Sequence, residues 1–360
     1  MSRRGIYYWK CDRPAAFHGT KMRPVRTAEM EHQLAGALES HFQAPVLLTP
    51  GAGQGNHHTW LANISGKTLF IRIEDGPEGD DYLEMESVVM DATRDLGVPV
   101  PVVFAFDATR RTVPFAWQAI EYFQYPDLNQ FYKAGTLEAP AIAHQIGVAV
   151  ARWQNIQPQG FGPFNATPWA AKKTLCGFHS IYQTHFNLRL DEHLDFLVSH
   201  AFLNGNERDL FSRVLAQHQS LLDLKEGCLV HKDLALWNIL GTESELKAFI
   251  DFDDAISGDP MDDLSLLACF HDAAFVQKAL EGYTSTRPLP PEYKGRFWMH
   301  LTRNMIVKSV IRVGSGYFER DSNFFLTGNT ISGETFKTFT RTRLFRALKG
   351  LESDADLSLL

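Results

Sequence analysis

The chain has 360 residues, 44% of them hydrophobic, enough for one large core or two moderate ones, and its length favours two lobes. Its formal charge of −7 speaks against a nucleic-acid binder, which would carry a basic excess. The four cysteines are scattered with no C-x-x-C pair, no signal peptide opens the chain, and no apolar run nears the about 18 residues of a membrane span, so a reduced cytoplasmic protein that avoids membranes is expected.

Residues 27–43 place Met30, Leu34, Leu38 and Phe42 on one helical face. A glycine-rich stretch at 51–56 follows, and then two β-prone runs, 59–64 and 68–73, around the turn Ser65-Gly66-Lys67. An acidic helix over about 80–96 ends at Gly97 and the Pro99-Val-Pro101 punctuation. Residues 100–106 and 113–122 read as another strand pair. After Pro126 the pattern turns helical: Ile142, Ile146, Val150 and Trp153 mark a long helix with a buried face, ended by a loop containing Gly160-Phe-Gly162-Pro163. Further helices are predicted over 191–204, 207–222, 260–282, 291–313 and 334–349, interrupted by strand-like runs at Cys228-Leu-Val and 246–250. The expected architecture is α+β and bilobal: a small β-rich lobe over 1–122, with residues 1–25 an unplaced extension, and a larger helical lobe over 123–360.

The strongest chemical signal is His231-Lys-Asp233-Leu-Ala-Leu-Trp-Asn238, which fits the kinase catalytic-loop pattern H-x-D-x-x-x-x-N. Phosphoryl transfer to a hydroxyl needs a carboxylate that orients the nucleophile and accepts its proton, the role assigned to Asp233. It also needs oxygen ligands for Mg²⁺ nearby, and the amide of Asn238 supplies one. After an apolar strand comes Ile250-Asp251-Phe-Asp253. A carboxylate at the end of a buried strand calls for a cation, so Asp251 is read as the second metal ligand.

Together with Ala255 and with Gly258-Asp259-Pro260-x-x-Asp263-Leu264, these motifs resemble the aminoglycoside phosphotransferase family and its choline-kinase-like relatives. The resemblance is tight over 229–264 and looser over 45–125. It implies a protein-kinase-like fold and an enzyme that moves the γ-phosphate of ATP to a hydroxyl of a small molecule, with Mg²⁺ as cofactor. It also implies that the turn bearing Gly53, Gly55 and Asn56 covers the phosphates. Arg72 then stands where the family carries a lysine to the phosphates, held by Glu86, and backbone at Glu121 to Phe123 borders adenine. Arginine binds phosphate with a different, bidentate geometry. Lys67, in the turn, is the poorer candidate.

The acceptor site is expected in the helical lobe near Asp253, Asp254, Asp263 and the 160–195 segment. That segment holds Trp169, Phe178, Tyr182 and Phe186 among Asp191, Glu192 and Asp195, suiting a sugar or a cationic acceptor. Asp259 is expected to brace the catalytic loop, and His231 to be a structural hydrogen-bonding residue. His57-His58 do not suggest a metal site, because adjacent strand residues face opposite ways. A protein kinase is disfavoured because Gly258-Asp259-Pro260 follows Asp251 within ten residues, leaving no room for an activation segment. A non-catalytic nucleotide-binding protein of the same fold stays open, prompted by Arg72 and by Lys232 beside the base.

Overall fold

Alternation along residues 67–74 decides both faces of the first sheet. The structure, a computed structural model, describes residues 3–12, 27–51, 57–76, 82–319 and 332–360. Strands β1 (Val46–Pro50), β2 (His58–Ile64), β3 (Lys67–Glu74), β4 (Val103–Asp107) and β5 (Ala116–Glu121) form one antiparallel sheet in the order β1-β2-β3-β5-β4. Leu69, Ile71 and Ile73 of β3 join Trp60, Ala119 and Trp117 in a core closed by Leu34, Ala37 and Leu38 of helix Ala28–Phe42. Thr27 caps that helix by accepting from the Met30 N–H at 3.1 Å. Because successive strand residues face opposite ways, Arg72 points to the other face, where helix Tyr82–Asp95 offers Glu86. The predicted glycine turn residues Gly53, Gly55 and Asn56 lie outside the described residues.

The rest of the chain is mainly helical. Helix Ala139–Trp153 buries Ile142, Ile146, Val150 and Trp153 as its periodicity predicts. It crosses helix Ala273–Thr284 so closely that a Cβ on Gly147 would stand 1.8 Å from the Ala279 carbonyl oxygen. Only glycine permits that approach. The predicted 260–282 helix is two helices, Asp262–Leu267 and Ala273–Thr284, because the Asp272 carboxylate caps a new start by accepting from the Phe275 N–H. Short strands also appear; those at 228–230 and 246–249 match the runs expected there, and the others no periodicity announced. β6 (Phe161–Phe164), β7 (Gly177–His179), β8 (Cys228–Val230) and β11 (Ile256–Gly258) form a sheet in the order β7-β6-β11-β8, and β9 (Ile239–Gly241) pairs with β10 (Leu246–Phe249). Residues 3–12, left unplaced by the sequence, form a buried strap that touches helices of the C-terminal part and Tyr82 of the N-terminal part. No helix among the described residues is long and apolar enough to cross a membrane.

Candidate active site

Strand β8 delivers the chain into the loop 231–238, and Asp263 fixes that loop by its backbone. The Asp263 carboxylate accepts from the N–H groups of His231 (2.9 Å) and Lys232 (3.0 Å) and from the Trp153 indole (3.2 Å). Burial pushes its carboxyl up to about 6. These bonds hold Lys232 at φ 69°, a left-handed conformation that costs a side-chain-bearing residue on the order of 1 kcal/mol or more. The brace is therefore Asp263, which the sequence reading had put at the acceptor. Asp259, expected in that role, instead accepts from the Met261 N–H and pairs with Arg296. The difference arises because the helix starts at Asp262, so its first turn, with Asp263, faces the loop. His231 is structural as expected: its Nδ1 accepts from the Asp233 N–H, so Nε2 carries the proton and donates to the Ile250 carbonyl at 3.0 Å.

Asp233 is 1% exposed, and both its oxygens are engaged. Oδ1 accepts from the Tyr8 hydroxyl (2.7 Å) and the Lys308 ammonium (3.0 Å). Oδ2 accepts from Lys10 (2.5 Å) and from the Asn238 amide (3.1 Å). Burial alone would raise this carboxyl, but the ammonium groups of Lys10 and Lys308 hold it well below the usual carboxylate range. The neighbouring Lys232 turns away to Asp262 (2.7 Å) and the Tyr7 hydroxyl (3.1 Å). Its place beside Asp233 in sequence therefore does not bring its charge onto that carboxylate.

The second group assembles around Arg72. Its guanidinium donates to both Glu86 oxygens, at 2.5 and 2.7 Å, and to Asp251 Oδ1 at 2.9 Å. Glu86 also accepts from the Phe252 N–H at 3.1 Å. Burial pushes the Glu86 carboxyl above its ordinary range even with the guanidinium beside it. Asp251 itself sits at φ 68°, a second left-handed residue in the same small region. Its other oxygen is free of Arg72, and Asn238 spends its amide nitrogen on Asp233, which leaves its carbonyl oxygen as the donor atom. Two hard oxygens on segments joined by the Ile250 N–H to Asn238 carbonyl bond (3.0 Å) are the donor chemistry that Mg²⁺ takes.

His57, set aside in the sequence, lies between Glu74 and Asp253 at 3.3 Å from each. Burial and Arg72 pull it down, but the two carboxylates win and raise it to about 9. Asp254 is buried with one oxygen lacking a partner among the described residues, and burial together with Asp253 pushes it up to about 7. The outer acidic residues expected at the acceptor are elsewhere. Asp191 and Asp195 pair with Arg208, and Glu192 with Arg189, all on the surface. Tyr182 and Phe186 are core side chains. Glu121 ends β5, its N–H bonded to the Val102 carbonyl and its side chain accepting from the Val102 N–H, and the half-buried Phe123 follows in the connection.

The strap residues Tyr8 and Lys10 were missed, and no local signal in the sequence could have found them. Their anchors are strong. Arg303 lies 3.7 Å over the Tyr7 ring, Asp12 bonds His193 at 2.7 Å, and Trp9 packs on Tyr82. Cys11, Asp12 and His193 cluster closely enough to suggest metal ligands, but Arg303 bonds the other His193 nitrogen at 3.0 Å and already supplies the positive charge.

Residues 46–295 match the profile of the phosphotransferase enzyme family, APH. The chain belongs to this family. As an APH-family protein it is a small-molecule kinase, and solved structures of the same fold are numerous. A putative aminoglycoside phosphotransferase from Ralstonia eutropha JMP134 is 17% identical, with 89% of this chain and 98% of that one covered and a TM-score of 0.61. A putative fructosamine-3-kinase from Haemophilus somnus 129PT is 14% identical, covering 88% and 96%, at 0.59. A thermostable mutant of aminoglycoside phosphotransferase APH(4)-Ia, in ternary complex with ADP and hygromycin B, is 16% identical, covering 88% and 98%, at 0.55. No curated protein sequence matches the chain. At these identities the likeness establishes the kinase-like α+β fold.

Proposed function

We propose that this chain transfers the γ-phosphoryl group of ATP to a hydroxyl of a small molecule, with Asp233 as the catalytic carboxylate. The acceptor oxygen bonds to Pγ, the bond from Pγ to the β-phosphate bridging oxygen breaks, ADP leaves with that electron pair, and the acceptor proton passes to Asp233. The observation that carries this reading is one continuous network. It runs from Glu86 through Arg72 to Asp251, and from Asn238 to Asp233, joined by the Ile250–Asn238 backbone bond. Asn238 and Asp251 would hold Mg²⁺, which neutralises phosphate charge when bound. Arg72 would reach the phosphates in place of the expected lysine, Gly53, Gly55 and Asn56 would contribute phosphate-binding backbone, and adenine would lie at Glu121 and Phe123.

The acceptor belongs to the sugars, amino sugars or amino alcohols. The related structure with hygromycin B supports that class. Lys232 gives no support to a non-catalytic protein, because its charge is spent on Asp262. The test is Mg-ATP turnover against hygromycin B, spectinomycin, fructosamines and amino alcohols, with calorimetry of MgADP alongside. Absence of both phosphorylation and MgADP binding overturns the reading.

A further inference from the structure

We propose that Lys10, carried by the strap Arg3–Asp12, is a catalytic residue whose ammonium leaves Asp233 for the transferring phosphoryl group when the acceptor hydroxyl arrives. The inference rests on the nucleotide and base roles proposed above. An acceptor hydroxyl must come within about 2.6–3.2 Å of a carboxylate oxygen of Asp233. Oδ1 is closed by Tyr8 and Lys308, whose side chains are buried, Lys308 being 9% exposed. Oδ2 is held by Asn238 and by Lys10, whose side chain is 33% exposed. Among the described neighbours of the carboxylate, Lys10 is therefore the one open to solvent, and a hydroxyl that reaches Asp233 displaces it.

The displaced ammonium has little freedom to leave. Tyr7, Trp9 and Asp12 pin the backbone on both sides of Lys10 through Lys232, Arg303, Tyr82 and His193. Its other charged surroundings are Asp251, Asp253 and Asp254, the side on which metal-bound phosphates belong. Lys10 would thus be within reach of both the base and phosphates held by Asn238 and Asp251, where the moving phosphoryl group must pass. Its equatorial oxygens spread negative charge in the transition state, and a fixed cation there stabilises that state more than the ground state.

In the test, water, whose O–H can reach Asp233 as an acceptor hydroxyl would, takes the place of the unidentified acceptor. Full-length wild type, Lys10→Met and Lys10→Arg are titrated with MgADP alone and with MgADP plus aluminium fluoride, a mimic of the transferring phosphoryl group, and melting temperatures confirm folding. We expect all three to bind MgADP within about twofold of one another, because Lys10 acts beyond the β-phosphate. Fluoride should tighten binding in wild type. Lys10→Met should lose on the order of 100-fold of that tightening, the scale of one preorganised donor, and Lys10→Arg should keep part of it. Lys10→Met with undiminished tightening, or wild type that binds MgADP without tightening, overturns the inference. Should Lys10→Met fail to fold, equal tightening in Lys10→Gln overturns it. A wild type that does not bind MgADP overturns instead the nucleotide reading beneath it.

Discussion

Truncating the two halves of the Arg72–Glu86 pair should not cost the same. Glu86 has a side chain with 0% exposure, and its partners are the Arg72 guanidinium and one N–H, from Phe252. Arg72→Ala therefore strands a buried carboxylate and also removes the cation between Asp251 and Asp253, a loss of about 3–5 kcal/mol for a broken buried pair. Glu86→Ala leaves Arg72 with Asp251 at 2.9 Å and Asp253 at 3.7 Å, so its cost is the lost charged hydrogen bonds, about 1.5–3 kcal/mol. The double variant strands no glutamate, and its cost should be near that of Arg72→Ala alone. The pH dependence has a definite sign. Burial already holds the Glu86 carboxyl above 4.5, and loss of the guanidinium lifts it further. With the folded-state value above the unfolded one, the penalty is present at high pH and fades as pH falls through the raised value. The Arg72→Ala deficit should thus be smaller at pH 5.5 than at pH 8. Urea unfolding followed by fluorescence and circular dichroism, whose coincidence licenses a two-state treatment, measures all of this. Additive costs, or Glu86→Ala costing more than Arg72→Ala, would refute the reasoning.

Asp233→Asn should lower kcat by several orders of magnitude while MgADP affinity in calorimetry stays within a few-fold, since the carboxylate acts on the acceptor; a collapse of MgADP affinity would count against that role. Asp263→Ala orphans two loop N–H groups and the Trp153 indole. It should cost about 3 kcal/mol or more in urea unfolding, and an unchanged midpoint would show that the loop needs no brace. Burial lowers His271 to about 3, so the unfolded state binds a proton that the folded state refuses between about pH 6.5 and 3. Stability should fall as pH drops through that window, and His271→Phe should flatten the decline by about 2–4 kcal/mol between pH 7 and 4; an unaltered slope excludes His271 as its source.

The grouping around Asp233 was legible where it is written in one short stretch. Asp233, Asn238 and Asp251 lie within nineteen positions, on a loop and the strands around it, so spacing alone brings them together. Arg72 and Glu86 needed strand alternation and one helix, both also local. What spacing could not tell was which of two nearby acids serves the loop, because where a helix begins decides whether Asp259 or Asp263 meets it. Nor could it separate acids near Asp233 from Asp191 and Asp195, whose side chains turn to Arg208. Strands of three or four residues such as β6, β7 and β11 carry too few alternations to register. The strap was invisible for a deeper reason: its meaning lies in partners far along the chain.

That distance bears on the order in which the molecule is built. Tyr8 and Lys308 meet across 300 positions, and Lys10 meets Asp233 across 223. Contacts so remote in sequence close only after the intervening chain has condensed, because the loop they seal is ordered at entropic cost before it returns anything. Until helix Tyr293–Gly314 is packed, the strap has no Lys308 to meet, and the carboxylate it covers is unclothed. The centre should therefore be the last part of the protein to mature, with refolding kinetics in which native helix content is regained before Tyr8 and Lys10 find Asp233.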